Sequence, residues 1–273
     1  MKTIRHAVTL LLFPFLIATS AQAAKPVALV YEGPGSCTGS EGDCSGAAQV
    51  AAEFSGYQVV RVGPSALTAT STEADYKKVF GQAVVWVQPG GHSRKFLVTI
   101  TPETKAGLQR FLKEGGGYVG FCAGAFSATE YDADLDLKGL NIFPGKTAAY
   151  PNETIDTFFD EVVSHFNENA YYNQILELVW NGKKRQVYFE EGASLDFTGV
   201  PANQVEVTAR LKSGLPISAR AAYGLGRVYI TGAHPEAPKD WLGALVDSDG
   251  PDYDLVKEMM DWASNLSKRG IRR

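Results

Sequence analysis

The chain has 273 residues, 45% of them hydrophobic and 21% charged, with a formal net charge of −4. That composition excludes a disordered tail, a collagen-like fibre and a small disulfide scaffold. It leaves one large domain or two small ones. A chain of this size buries roughly 70 to 75% of the surface its unfolded form exposes, so the core needs neither a metal nor a disulfide for stability.

Residues 1–23 read as an export signal. Lys2 and Arg5 form a positive n-region, Ala7 to Ala18 an apolar h-region interrupted only by Thr9 and Pro14, and Ala21-Gln22-Ala23 a small-x-small cleavage site. The apolar run is too short to span a bilayer, and no Cys stands at the junction to carry a lipid. The expectation is a periplasmic or secreted protein, cleaved near Ala23, with no stable membrane anchor. Cleavage removes two positive charges and leaves 24 Lys and Arg against 30 Asp and Glu, a net of −6. That charge speaks against a nucleic-acid partner. The basic run Lys268-Arg269-Gly270-Ile271-Arg272-Arg273 reads as a solvated tail.

No composition shift, linker or repeat divides residues 24–267, so 24–273 is read as a single domain. Val27 to Tyr31 is an apolar run stopped by Gly33-Pro34-Gly35, the mark of a buried strand and a turn. Ala47 to Phe54 is helix-prone, Tyr57 to Val62 is a second strand, and Ala83 to Val87 a third, stopped by Pro89-Gly90-Gly91. Thr101 as N-cap and Pro102 at the first position open a helix with Leu108, Phe111 and Leu112 on one face, ended by Gly115-Gly116-Gly117. Tyr118 to Phe121 is a fourth strand, running into Cys122. Continuous apolar strands separated by helices indicate a mostly parallel sheet with helices on both faces. The ligand site of such a sheet lies at the carboxyl ends of its strands, where Gly33, Gly90 and Cys122 fall. Further on, Leu176 to Trp180, Gln186 to Glu190, Val205 to Leu211, Ile217 to Ala222 and Arg227 to Thr231 are strand candidates. Turns at Asn181-Gly182 and Gly224-Leu225-Gly226 favour hairpins, hence extra antiparallel strands in the C-terminal half. Tyr253 to Leu266 is a closing amphipathic helix.

Three cysteines in an exported chain is an odd number. Cys37 and Cys44 lie seven apart in a Gly/Ser-rich loop flexible enough to reach bridging geometry, which leaves Cys122 over. Cys122 is the centre of Gly120-Phe121-Cys122-Ala123-Gly124, the G-x-C-x-G form of a nucleophile elbow between strand and helix. The helix that follows aims its N-terminal amides at the sulfur and favours thiolate over thiol. A thiolate nucleophile needs a proton carrier, and the mature chain offers His92, His165 and His234. His234 follows a strand in Gly232-Ala233-His234-Pro235-Glu236, where Glu236 can orient the imidazole. His165 stands among acidic residues and reads as a surface or packing histidine. Gly91 can aim a backbone N–H at a developing oxyanion, with the Ala123 N–H as second donor; His92 is a candidate substrate contact. Scattered histidines and one disulfide-prone pair give no metal-ligand spacing, so neither metal nor cofactor is expected.

Together, Val30 to Gly35, Pro89-Gly90-Gly91, Gly115 to Phe126, Phe143-Pro144-Gly145, Tyr188 to Gly192 and Gly226 to Glu236 resemble the class I glutamine amidotransferase-like superfamily. Within it they are similar to the N-terminal domain of eukaryotic biotin-protein ligases, which also occurs as a stand-alone bacterial protein. The resemblance implies a flavodoxin-like sheet and a Cys122, His234, Glu236 triad. It does not imply biotin ligation, which belongs to a separate catalytic domain for which this chain has no length left. Glu32 and Glu190-Glu191 stand where the eukaryotic domain is expected to carry Asn and Asn-Gly, making the pocket more acidic and marking Glu32 and Glu190 as substrate contacts.

Three functions compete. The leading one is an exported Cys-dependent hydrolase acting on a C–N bond of an amide, γ-glutamyl or peptide-like substrate. The second is a non-catalytic binding or scaffold domain; the third is a redox or aldehyde-scavenging protein, which an acidic residue such as Glu32 beside Cys122 would favour. Fold alone does not choose among them.

Overall fold

The structure is a computed structural model and describes residues 24–37, 42–129, 131–132, 137–148 and 173–266. The export segment 1–23, His165 and the basic run from Lys268 lie outside the described residues. Among those described, no helix is long and apolar enough to cross a membrane.

The first half alternates strand and helix: β1 (Val27–Tyr31), α1 (Cys44–Phe54), β2 (Gln58–Val62), α2 (Glu73–Phe80), β3 (Ala83–Gln88), α3 (Ser93–Thr99), α4 (Pro102–Lys113), β4 (Gly117–Phe121) and α5 (Ala123–Ala128). Three short strands follow, β5 (Tyr131–Asp132), β6 (Leu137–Lys138) and β7 (Lys146–Ala148). The second half is nearly all strand: β8 (Asn173–Trp180), β9 (Lys183–Glu190), β10 (Ser194–Asp196), β11 (Val205–Leu211), β12 (Pro216–Tyr223) and β13 (Gly226–Thr231). A 3-10 turn at Lys239–Leu242 and helix α6 (Tyr253–Ser264) close the chain.

Nine strands form one sheet in the order β2-β1-β3-β4-β13-β12-β11-β8-β9. From β2 to β13 every pairing is parallel; from β13 to β9 every pairing is antiparallel. The fold is therefore mixed α/β, parallel where the sequence shows apolar runs and antiparallel where it shows hairpin turns. β3 is buried at all six positions, as a central parallel strand must be. On β1, Ala28 and Val30 face a core shared with α1 and α6, while Leu29 and Tyr31 face one shared with α2, α3, α4 and α5. The small side chains of Ala48, Ala51 and Ala52 let α1 lie close on the sheet.

Capping explains two departures from the sequence reading, the start of α1 and the presence of α2. Asp43 accepts the Gly46 N–H at 2.7 Å, so α1 begins at Cys44 and not Ala47. The unforeseen α2 is a two-turn helix opened by a Thr72–Asp75 capping box with only Tyr76 and Phe80 buried, too short for periodicity to reveal. In the second half, Asn181 and Gly182 both take positive φ, 45° and 79°, which closes the β8–β9 hairpin in two residues.

Arg185 on β9 holds the loop before α6 through Asp249 and Asp252, and the first turn of α6 through Asp254. Burial lifts the Asp252 carboxyl from 3.8 to about 7; Arg185 pulls it down and Asp247 and Asp249 push it up. The folded state thus binds a proton over a window in which the unfolded chain has lost it, so this group makes stability fall as pH rises from 3.8 to about 7. Asp252→Asn is expected to flatten that fall, read from urea midpoints across the window.

Candidate active site

Cys122 follows β4 as the N-cap of α5, with φ 46° and ψ −106°, a left-handed backbone that a non-glycine residue adopts at a cost of about 1–3 kcal/mol. Its surroundings hold it there. Its N–H donates to the Thr231 carbonyl on β13 at 2.9 Å, and its carbonyl accepts the Ala125 and Phe126 N–H groups at 2.8 and 3.2 Å. Both flanking glycines are dictated by space: a Cβ on Gly120 would sit 2.7 Å from the Gly124 backbone, and one on Gly124 would sit 2.5 Å from the Gln88 carbonyl of β3. The turn is thus wedged between two parallel neighbours with its sulfur at the carboxyl end of the sheet.

His234 lies three residues beyond the end of β13. Its N–H donates to the Tyr188 carbonyl at the far end of β9 (2.8 Å), and the next segment inward is closer still, since a Cβ on Gly192 would fall 1.8 Å from the Gly232 carbonyl. In the ring, Nδ1 meets Glu236 Oε1 at 2.8 Å, and the imidazole is near enough to Cys122 for the two groups to influence each other's charge. Cys122, His234 and Glu236 are 6%, 3% and 0% exposed. Burial on its own would push the imidazole's pKa down, but the neighbouring Glu236 and Cys122 groups outweigh it and hold His234 well above its ordinary value. Glu236 Oε2 is buried with no hydrogen-bond partner among the described residues.

Two aromatic edges frame the imidazole, Tyr188 and Trp241, with ring centres at 5.9 and 5.8 Å. The Cys122 sulfur lies 3.7 Å from the Glu190 carbonyl oxygen, while the Glu190 carboxylate accepts the Tyr188 hydroxyl at 3.0 Å. Burial and the Glu190 charge raise the Tyr188 hydroxyl's pKa, so it remains a donor. Beyond these side chains opens a cleft of about 820 Å³, walled also by Asp43, Gln49, Arg61 and Asp240. Tyr188, Glu190 and Trp241 belong both to the cleft wall and to the surroundings of the Cys122–His234 pair, so they stand between the two.

The remaining sequence candidates fall as follows. Ala123 opens α5, and its N–H has no backbone acceptor among the described residues. Gly91 has φ 121° and pairs with Ser36; a Cβ there would lie 2.3 Å from the Gly35 carbonyl. His92 is exposed at the start of α3, its N–H bound to Gly35 O at 2.8 Å. Glu32 is ion-paired with Arg61, which lines the cleft. Glu191 takes φ 44°, a conformation natural to the glycine expected there from the family resemblance. Cys37 and Cys44 are bridged, with Cα atoms 5.1 Å apart. No group of three or more His, Cys, Asp or Glu among the described residues is placed to hold a metal ion. Trp241 had no signal in the sequence: it stands in a 3-10 turn five residues past Glu236, and only the fold sets it against His234.

A nucleophile-type elbow after one parallel strand, faced by a His after the next, on a sheet of this order, places the protein among the class I glutamine amidotransferase-like folds. The crystal structure of a glutamine amidotransferase superposes with a TM-score of 0.56 at 16% identity, covering 87% of this chain and 100% of that one, which shows the fold alone. Within that class the chain belongs to the family described as "Biotin-protein ligase, N terminal", whose model matches residues 27–268. The biotin–protein ligase of Schizosaccharomyces pombe is 29% identical over 167 residues, 55% of this chain and 25% of the ligase. The chain thus matches about a quarter of that curated relative's length.

The raised His234 pKa has a consequence for stability. Its partners' contribution is complete below 6.5 and is lost as pH climbs through the higher folded value. Glu236→Gln is expected to move the His234 midpoint down toward or below 6.5, because burial then faces only the Cys122 partner. Imidazole NMR titration measures it, and an unmoved midpoint contradicts the assignment.

Proposed function

We propose that this protein is a cysteine-nucleophile hydrolase acting on a C–N bond of an amide, γ-glutamyl or peptide-like substrate. The observation that carries the reading is the buried line from Cys122 through His234 to Glu236, closed by the 2.8 Å contact, at a strained strand–helix turn. In the reaction, the Cys122 sulfur attacks the substrate carbonyl carbon, and the developing oxyanion is held by the Ala123 and Gly91 N–H groups. His234 gives its proton to the leaving amine, whose C–N bond breaks, and then takes a proton from the water that cleaves the thioester. Glu236 fixes the ring through Nδ1 and balances the imidazolium charge. The cleft beside Glu190 and Trp241 receives the rest of the substrate.

Export fits the same reading. Residues 1–23 have the make-up of a signal segment, and the Cys37–Cys44 bridge is the kind of bond an oxidising compartment sustains. We therefore propose a periplasmic or secreted location.

The match to part of a biotin–protein ligase favours a second reading, a binding domain that serves a ligase in its relatives. Alkylation separates the two. Iodoacetamide is expected to modify Cys122 near neutral pH about tenfold faster in the wild type than in His234→Ala, the size of effect that pairing a thiol with a cation produces. Peptide mass spectrometry of the folded proteins reads the rate. Equal, slow rates leave the binding domain; a His234-dependent rate justifies a screen of amide and γ-glutamyl substrates with Cys122→Ser as the inactive control.

A further inference from the structure

The Cys37–Cys44 bridge lies far closer to His234 than the sequence suggests. Gly90, buried in the turn after β3, touches the surroundings of both: a Cβ built on it would sit 2.6 Å from His234 Cε1 and 3.5 Å from Cys44 Sγ. The turn is also clamped from the side of the bridge. Gly91 pairs with Ser36, a Cβ on Gly91 would lie 2.7 Å from the Cys37 N, and the His92 N–H donates to Gly35 O at 2.8 Å. The segment from Gly33 to Cys37 belongs to no named helix or strand, and its anchor is the start of α1. There Cys44 carries the bridge, and the Ser45 hydroxyl meets Ser36 Oγ at 2.6 Å and donates to Tyr31 O at 2.9 Å. Helix α1 is in turn fixed on the sheet by Ala48, Ala51 and Ala52.

We infer that the Cys37–Cys44 bridge is a positioning element for the site: it presses the Gly90–Gly91 turn against the His234 ring and so fixes the imidazole relative to Cys122. Glu236 holds the ring at Nδ1 and the bridge, through Gly90, backs its Cε1 edge. Cys37 and Cys44 are 5% and 3% exposed, so the bond once made is shielded from solvent reductants. It forms when the two thiols pass two electrons to a disulfide-bearing oxidant, whose own S–S bond opens to two thiols. The site is thereby completed only where such an oxidant is present, which ties the reactivity of Cys122 to an oxidising compartment.

This inference rests on the hydrolase reading for its consequence, and on the geometry alone for the position of the ring. Two variants test it, each first checked by circular dichroism and thermal unfolding. Cys37→Ser/Cys44→Ser removes the bridge; Gly90→Ala keeps it and drives a methyl into the ring. Two measurements are made on each: the rate–pH profile of Cys122 alkylation by iodoacetamide, and the His234 imidazole titration by NMR. Both variants are expected to slow alkylation near neutral pH by about tenfold, within the hundredfold that a 1 Å misplacement can cost, and to move the His234 midpoint down toward the ordinary value. A folded double-serine variant with a wild-type profile and an unmoved midpoint overturns the inference while the hydrolase reading stands. A wild type whose Cys122 is inert, with a midpoint that still moves when the bridge is removed, overturns the hydrolase reading and upholds the inference. Should the double-serine variant fail to fold, Gly90→Ala decides: unchanged profile and midpoint there overturn it.

Discussion

The hydrogen bond from the His234 N–H to the Tyr188 carbonyl joins two strands that an open sheet would hold far apart. Strands β13 and β9 are four positions apart in the sheet order, which at the usual strand spacing is about 19 Å. Twist and curl across the antiparallel half bring the end of β9 back over the end of β13. Contact is close enough that Gly192 and Gly232 have no room for a side chain. Everything distinctive about the site follows from that closure. Glu190 reaches the sulfur, Tyr188 reaches the imidazole, and the cleft acquires a wall. Without the antiparallel half, the Glu190 and Tyr188 contacts with Cys122 and His234 would be missing.

The parallel half supplies the opposite requirement, rigidity at a strained point. A left-handed Cys122 persists only because β3, β4, β13 and α5 over-determine it, through the Thr231 bond on one side and the Gly124–Gln88 approach on the other. Strain and closure act on the same few atoms from two directions. Cys122 is fixed by the parallel strands and His234 by the return of β9, so their relative position is a property of the whole sheet and of no single loop.

The legibility of the sequence follows this division. The parallel half is readable because burial on both faces leaves continuous apolar runs, and the elbow is readable because backbone contact leaves no choice but Gly120 and Gly124. His234 and Glu236 are readable because their spacing is local. The curl of the antiparallel half is not readable: it arises from cross-strand packing with no period of its own, so Trp241, Asn173 and Arg61 could not be assigned to a common cleft. The pairing of Glu32 with Arg61 of the cleft wall, and the nearness of the Cys37–Cys44 bridge to Gly90, depend on side-chain direction at strand ends, which residue spacing does not encode.

Energetics weigh against a purely structural role for the three residues. Burying an imidazole and a carboxylate, with one carboxylate oxygen left unpartnered, costs more than an apolar cluster of similar volume, and replacing such groups with well-packed apolar side chains is often neutral or stabilising. A scaffold domain would gain by giving up Cys122, His234 and Glu236 and relaxing the backbone at 122. Their assembly at the carboxyl end of a parallel sheet, beside a cleft of about 820 Å³, fits the proposed hydrolase, in which stability is given up for chemistry. The same reasoning discounts the redox alternative as drawn from an acid beside the thiol. Glu32, the acid named for that role, is engaged with Arg61, and the imidazole beside Cys122 is held well above its ordinary pKa, as a group that protonates a leaving amine in the proposed reaction would be.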